Sequence, residues 1–255
     1  MTMVHSAALQ GFGNAAQVYA RGRPDYPSEL AAWLREDLDL YPGRTAIDLG
    51  AGTGKFTKLL IQTGSNVIAV EPVAAMRTEL AASLPWVQAV AGTADSISLR
   101  DAVSDAVVCA QAFHWFATEA ALEEIHRVLR TDGKLGLVWN VRDESVDWVG
   151  AITDILRPYE GDAPRYHTGE WRRPFASGLF SELRETRFTH VHIGELEQVI
   201  VDRFLSVSFI AALPEKEKSK VTRELRDLIS SHPKLKGRET IAMPYETHAY
   251  CCRRV

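Results

Sequence analysis

The sequence predicts an α/β fold, a mostly parallel sheet with helices on both of its faces. Three observations carry this. From Thr45 to Trp139, short apolar stretches alternate with helical patterns at the spacing of βαβ units. The first apolar stretch runs straight into a loop with glycines at alternate positions, and that loop runs into a helix. The stretches are dense in Val, Ile, Leu and Ala, as befits strands covered on both sides. A chain of 255 residues holds one large domain, or one core with an insertion.

Asp25-Tyr26-Pro27-Ser28-Glu29 opens a helix through Leu30, Trp33 and Leu34, and Tyr41-Pro42-Gly43 ends it. Pro27 suits the entry, because its missing N–H would be unpaired there anyway. Thr45–Leu49 reads as a first strand and Gly54–Thr63 as a helix that stops at Gly64. Asn66–Val70 is a second strand, Ala74–Ser83 a helix and Trp86–Ala91 a third strand. Asp105–Ala110 is a fourth strand, and Thr118–Leu129 is an amphipathic helix closed by Thr131-Asp132-Gly133. Lys134–Trp139 is the fifth strand.

After Asn140 the rhythm changes. Val146–Tyr159 reads as helix, Glu160–Pro174 as a loop and Leu183–His192 as a strand. A helical block follows from Val201 to about Ile229, broken at Pro214, before a last strand over Glu239–Arg253. That makes seven strands. The alternation in Glu246-Thr247-His248-Ala249-Tyr250 suits an antiparallel place at or near an edge.

Composition narrows the function. Hydrophobic residues at 46% and charged residues at 24% are the balance of a soluble globular protein. No stretch approaches the roughly 18 apolar residues of a spanning helix, and Met1–Gln10 lacks the pattern of a signal peptide. No membrane partner is expected. Of three cysteines, Cys109 reads as core and Cys251-Cys252 as packing residues; an odd count points to a reducing, cytoplasmic setting. A net charge of −4 gives no electrostatic case for nucleic acid.

Asp48-Leu49-Gly50-Ala51-Gly52-Thr53-Gly54-Lys55-Phe56 is the most informative run. Its glycines let a ligand approach the backbone, and the helix behind offers unpaired N–H groups. The spacing is Gly-x-Gly-x-Gly, not the Gly-x-Gly-x-x-Gly of dinucleotide enzymes, and no Ser or Thr follows Lys55 as in a P-loop. Alone, the loop is equally a turn without a ligand. Glu71 tips the balance: it stands 23 positions after Asp48, at the tip of the second strand, where an acid accepts both ribose hydroxyls of an adenosine.

With these residues in view, the chain resembles the class I S-adenosylmethionine-dependent methyltransferases, from about Tyr19 to Trp139 and more weakly beyond. The resemblance implies a Rossmann-like seven-stranded sheet with a helical insertion or cap toward the C-terminal half. It implies S-adenosylmethionine as cofactor. Asp48 would position the loop and the amino-acid end of that cofactor, and Gly50, Ala51, Gly52 and Gly54 would lie along it. Glu71 would take the ribose, Pro72 and Met76 the adenine face, Ala94-Asp95 the adenine edge, and Gln111 the methionine side.

Two further stretches, Tyr19-Ala20-Arg21-Gly22-Arg23-Pro24-Asp25-Tyr26-Pro27 and Gln111-Ala112-Phe113-His114-Trp115-Phe116, resemble the trans-aconitate methyltransferase-like subgroup. There the N-terminal segment covers the cofactor, so Tyr19 and Arg23 join the cofactor-binding set, with Arg23 on its carboxylate. The implied division is an arm over 1–30, a cofactor-binding core over 31–140, acceptor-pocket insertions over 141–182 and 195–238, and final core strands over 183–194 and 239–255.

His114, at the carboxyl edge of the sheet, is the candidate general base for a hydroxyl or amine acceptor; a helix-start residue fixing its turn is the equal alternative. Asn140 and Arg142, and Arg165, Tyr166, His167, Trp171 and Arg172 of the insertion, are candidates for the acceptor pocket. His190 and His192 share a strand face, but two histidines without a nearby Asp, Glu or Cys make no metal site, so none is expected. The expected reaction is O-methylation of a carboxylate or hydroxyl on a small molecule, by a monomer or homodimer. Rival readings are a non-catalytic cofactor-binding module and methylation of RNA or protein. The Asn/Asp-Pro-Pro-aromatic tetrapeptide of base-amine methylases is absent after the fourth strand.

Overall fold

The computed structural model describes residues 23–255. Tyr19 and Arg21 lie outside the described residues. Seven strands form one sheet in the order β3-β2-β1-β4-β5-β7-β6. The strands are β1 Thr45–Leu49, β2 Asn66–Val70, β3 Gln88–Val90, β4 Ser104–Ala110, β5 Leu129–Arg142, β6 Arg184–Glu195 and β7 Thr240–Arg253. β1 to β5 run parallel, and β7 pairs antiparallel with both β5 and β6. The expected fold class is the observed one.

Alternate residues of the central strands feed two cores, because successive side chains point to opposite faces. Ile47, Leu49, Val107, Cys109, Leu135 and Leu137 pack with Leu122 and Ile125 of a helix over Glu119–Val128. Ala46, Val67, Ala106, Val108 and Val138 pack on the other face with Leu30, Trp33 and Leu34 of α1 (Leu30–Glu36) and Leu60 of α2 (Thr57–Ile61). Cys251 belongs to one face and Cys252 to the other, and all three cysteines are buried and free. α3 covers Ala74–Ser83, so the Glu119–Val128 helix is α4. The Thr118 side chain caps α4 by accepting from Ala121 N–H at 3.2 Å, a bond worth about 1 kcal/mol.

A third core stands over the carboxyl end of the sheet. It joins Trp148, Val149 and Ile152 of α5 (Asp147–Leu156) to Val199, Ile200 and Phe204, to Val221 and Leu225 of a long surface helix, and to Met243 and Tyr245 of β7. After a wide-wound segment over Glu197–Asp202 come α6 (Arg203–Leu205), α7 (Ser208–Ala211) and the long helix α8 (Glu215–Ser231). Among the described residues no helix is long and apolar enough to cross a membrane.

Several boundaries differ from expectation. The first helix starts at Leu30 and ends at Glu36, shortly before Asp39 takes a φ of 53°. Thr131-Asp132-Gly133 lies within the long β5 rather than ending before it. The segment expected as loop up to Pro174 contains tight helical turns over Glu170–Ser177. Their cause is packing: Trp171 is 1% exposed and sits against Trp139 (4.7 Å between ring centres) and Tyr250 (5.1 Å). The helical block begins at Glu197 rather than Val201.

Candidate active site

The β1 strand ends at a buried acid. Asp48 is 1% exposed; its Oδ2 accepts from the Thr57 hydroxyl at 2.6 Å, and its Oδ1 is buried with no partner among the described residues. Burial pushes this carboxyl up to about 7, against the pull of the Thr57 bond. The loop behind it folds back on β2: Gly50 N–H donates to Val70 O at 2.8 Å and Ala51 N–H to the same oxygen at 3.2 Å. Gly50 has a φ of +75°, and a Cβ there would meet the Ala112 Cβ at 2.7 Å, so only glycine fits.

Glu71 is 7% exposed at the tip of β2. Its Oε2 accepts from Gly52 N–H (2.9 Å) and its Oε1 from Val73 N–H (2.8 Å), so it clasps the glycine loop to the next turn. Burial raises this carboxyl, and the two backbone bonds oppose the rise. Each oxygen keeps a lone pair for another donor.

A narrow cleft of about 50 Å³ runs along the loop, lined by Asp48, Gly50, Ala51 and Gly52, by Arg23 and Lys55, and by Gln111, Asn140 and Arg203. Arg23, Gln111, Asn140 and Arg203 also line a second cavity of about 580 Å³. The two spaces therefore share a wall. Gln111 stands at that wall, directly after β4, with a φ of 58°, a left-handed conformation uncommon for a residue other than glycine. Asn140 braces the wall: its Nδ2 donates to Asp25 O at 2.9 Å, and its Oδ1 accepts from the Thr247 hydroxyl at 2.6 Å.

The larger cavity is rich in guanidinium. Arg23, Arg142, Arg157, Arg165 and Arg203 line it, with Glu144 and Glu160 as its acids. Glu144 lies 3.2 Å from Arg142, and Glu160 lies 3.0 Å from Arg165. His114, Trp115, Trp139 and Tyr166 supply the aromatic wall. Trp139 Nε1–H donates to His114 Nδ1 at 3.1 Å, which puts the imidazole proton on Nε2. Enclosure, and then the charges of Arg165 and Arg23, push His114 down to about 3, so the ring is neutral. A neutral ring whose acceptor nitrogen is taken presents an N–H donor. This counts against the expectation of a general base at His114.

Other expected residues fall elsewhere. Gly54 packs beneath the loop, where a Cβ would lie 3.0 Å from Leu80 and 3.1 Å from Leu84 of α3, and it does not line the cleft. Met76 and Ala94 are buried and Asp95 is half-buried; these three, like Glu71 and Pro72, do not line the cleft. Pro72 O accepts from the Arg77 guanidinium at 2.8 Å. Among the insertion residues, Arg165, Tyr166 and His167 reach the cavity, while Trp171 and Arg172 lie behind its aromatic wall. His190 and His192 lie on one face of β6; burial lowers both, His192 to about 4. Among the described residues no group of three or more His, Cys, Asp or Glu is placed to hold a metal.

Three residues of the site escape a sequence reading. Lys55, directly after the glycines, donates to Arg23 O and lies 3.2 Å from Asp25 Oδ1, so it clips the entering segment over the loop. Trp139 reads as the end of a strand, and only its indole N–H reveals its hold on His114. Arg203 looks like one more charge on an amphipathic helix. Its burial, at 6% exposure, depends on the wide winding just before it.

Residues 47–137 match the family described as Methyltransferase domain, a span that runs from β1 through most of β5. An uncharacterized methyltransferase-like protein of Schizosaccharomyces pombe is 37% identical over 249 residues, covering 97% of each chain. An uncharacterized methyltransferase of Mycobacterium bovis is 38% identical over 236 residues, covering 92% of each. In fold, the chain is similar to the YcgJ protein of Bacillus subtilis, with a TM-score of 0.56 at 17% identity over 88% of this chain and 97% of that one. The glycine loop, the clasping acid and the full-length relatives agree: the chain belongs to the methyltransferase family and is a class I S-adenosylmethionine-dependent methyltransferase.

Proposed function

We propose that the protein transfers a methyl group from S-adenosylmethionine to a carboxylate of a small, acidic acceptor. The observation that carries this is the guanidinium-lined cavity sharing a wall with the glycine-loop cleft. The residues present fit the cofactor. The unpartnered Oδ1 of Asp48 suits its ammonium, Arg23 its carboxylate, and the remaining lone pairs of Glu71 its ribose hydroxyls. Pro72, Met76, Ala94 and Asp95 are then the adenine side, and Gln111 the methionine side. The resemblance of Gln111–Phe116 to the trans-aconitate methyltransferase-like subgroup supports an acidic acceptor in the same sense.

Bound, the cofactor supplies a methyl group already made electrophilic by its sulfonium. The chain's part is to orient the acceptor and keep water out. A carboxylate is its own nucleophile, so no base is required. A His114 Nε2–H and an arginine can hold one carboxylate oxygen while the other stays free to react. A hydroxyl acceptor would need a base, and the neutral, indole-bonded His114 is poorly suited to that work. Three free cysteines fit a reducing compartment, and we place the enzyme in the cytoplasm.

The test is transfer of labelled methyl from S-adenosylmethionine to a panel of small carboxylates, alcohols and amines, with RNA and protein fractions alongside. Label in carboxylates, which mild base releases as methanol because the products are methyl esters, is the expected result. Label confined to alcohols, amines or macromolecules would overturn the carboxylate reading, and no label in any fraction would favour a non-catalytic module.

A further inference from the structure

β6 ends the sheet, and its sequence leaves the edge open. One side of the strand pairs with β7 from Arg184 to Glu195 with no slip in register. Among the described residues no strand pairs with the other side. An open edge presents unpaired N–H and C=O groups that template a further strand. Chains commonly blunt such an edge with charged side chains, proline, a bulge or a short length. The middle of β6 has none of these: Phe188-Thr189-His190-Val191-His192-Ile193-Gly194 holds no Lys, Arg, Asp, Glu or Pro.

The two faces of the strand differ, because successive side chains point to opposite sides. Phe188 packs toward α1, and His190 and His192 stand opposite the buried Tyr245 and Met243 of β7. Arg187, Thr189, Val191, Ile193 and Glu195 form the exposed set. Its middle three are β-branched, the type that packs best on a pleated surface. Val191 is 42% exposed and Ile193 70%. Their partners on β7 are Pro244, half-buried, and Ala242, exposed, so the apolar strip is two strands wide. A lone exposed side chain such as Trp86 needs no explanation, but an apolar strip along an open edge asks for a cover.

The charges say which cover fits. Arg187 and Glu195 bracket the apolar middle at equal spacing from Val191. A second copy of β6, laid antiparallel with Val191 opposite Val191, keeps both exposed sets on one face. That register sets Arg187 of each copy against Glu195 of the other, and Thr189 against Ile193. A parallel copy in register would instead set arginine on arginine and glutamate on glutamate, which opposes pairing. Arg187 lies 2.8 Å from Glu185 and 3.3 Å from Glu246 in its own chain, and a guanidinium with five N–H donors can take a third carboxylate.

We propose that β6 is a homodimer interface, in which two copies of the chain pair edge to edge, antiparallel about a two-fold axis at Val191, into one continuous sheet. The apolar strips of both copies then join across the axis, with an arginine–glutamate pair at each end. No residue of β6 lines the glycine-loop cleft or the arginine-lined cavity, so both stay open in the dimer whatever the acceptor is.

The experiment is sedimentation velocity of the full chain from nanomolar to high micromolar concentration. The wild-type chain should sediment as a dimer that dissociates on dilution. V191K and V191E each set like charges on the axis and should weaken the dimer at least about tenfold. Mixed in equal amounts, these two variants should recover a dimer of unlike chains, because opposite charges then face each other. Recovery also shows that both variants fold. E195K, away from the apolar middle, sets a lysine against Arg187 of the other copy and should weaken the dimer as well. A wild-type chain that stays monomeric would overturn the interface. So would a dimer that V191K and E195K leave as strong as before, or a mixture of V191K and V191E that stays monomeric.

Discussion

Asp48 and Glu71 divide the work at the loop. Glu71 spends one lone pair of each oxygen on a backbone N–H, so it holds the loop's shape and keeps a second pair on each for the ribose contact of the proposed function. Asp48 keeps one oxygen unpartnered and is pushed from an ordinary 3.8 to about 7. The folded chain therefore holds this proton more tightly than the unfolded chain does. The stability contributed by the neutral form is complete below 3.8 and is lost as pH rises through about 7. Under the proposed function a cofactor ammonium pairs with the ionised form, so binding draws the proton off. Affinity for S-adenosylmethionine should accordingly rise as pH is raised through about 7, with proton uptake by the buffer, and D48N should flatten that slope. Calorimetry in buffers of different ionisation enthalpy measures both quantities; the same slope in D48N would contradict the assignment. At this scale the acids were legible, because a strand end followed by glycines marks where a ligand approaches. Arg203 was not, since its position depends on how the preceding turn is wound.

The insertion is held by polar contacts as well as by packing. Tyr166 reaches from it to the sheet, where its hydroxyl is hydrogen-bonded to His248 Nδ1 and to the Tyr250 hydroxyl, each at 2.6 Å. His248 Nε2 lies 2.6 Å from Glu246. The Tyr166 ring meanwhile packs on Trp139 at 4.9 Å, and Trp139 fixes the His114 tautomer. Y166F keeps the ring and removes the anchor. It should cost about 1–3 kcal/mol of stability and raise the acceptor KM while leaving cofactor affinity unchanged. Denaturant melts and steady-state kinetics check this; a wild-type acceptor KM would show that the anchor does not position the pocket. The central strands were legible because apolar runs between turn signals leave few other options. The helical turns at Glu170–Ser177 were not, since local polarity and Pro174 read as loop and only Trp171's partners, distant in sequence, turn the segment inward.

Across the whole molecule, a parallel sheet brings the ends of β1, β2, β4 and β5 to one edge, where ligands bind in open α/β folds. The antiparallel β7 and the third core close the far side of that edge, so the glycine-loop cleft and the arginine-lined cavity lie back to back across Gln111 and Asn140. A chain with a net charge of −4 concentrates five arginines in this one cavity. That segregation is invisible in composition and emerges only when the insertion folds over the core. Under the proposed function the cofactor spans the glycine loop with its sulfur facing the arginine-lined cavity. A crystal structure with S-adenosylhomocysteine bound tests it most directly. Ribose hydroxyls should lie on Glu71, the amino-acid end between Asp48 and Arg23, and the sulfur should open toward His114 and Arg203; a sulfur turned away from that cavity, or a ribose that makes no bond to Glu71, would contradict this arrangement.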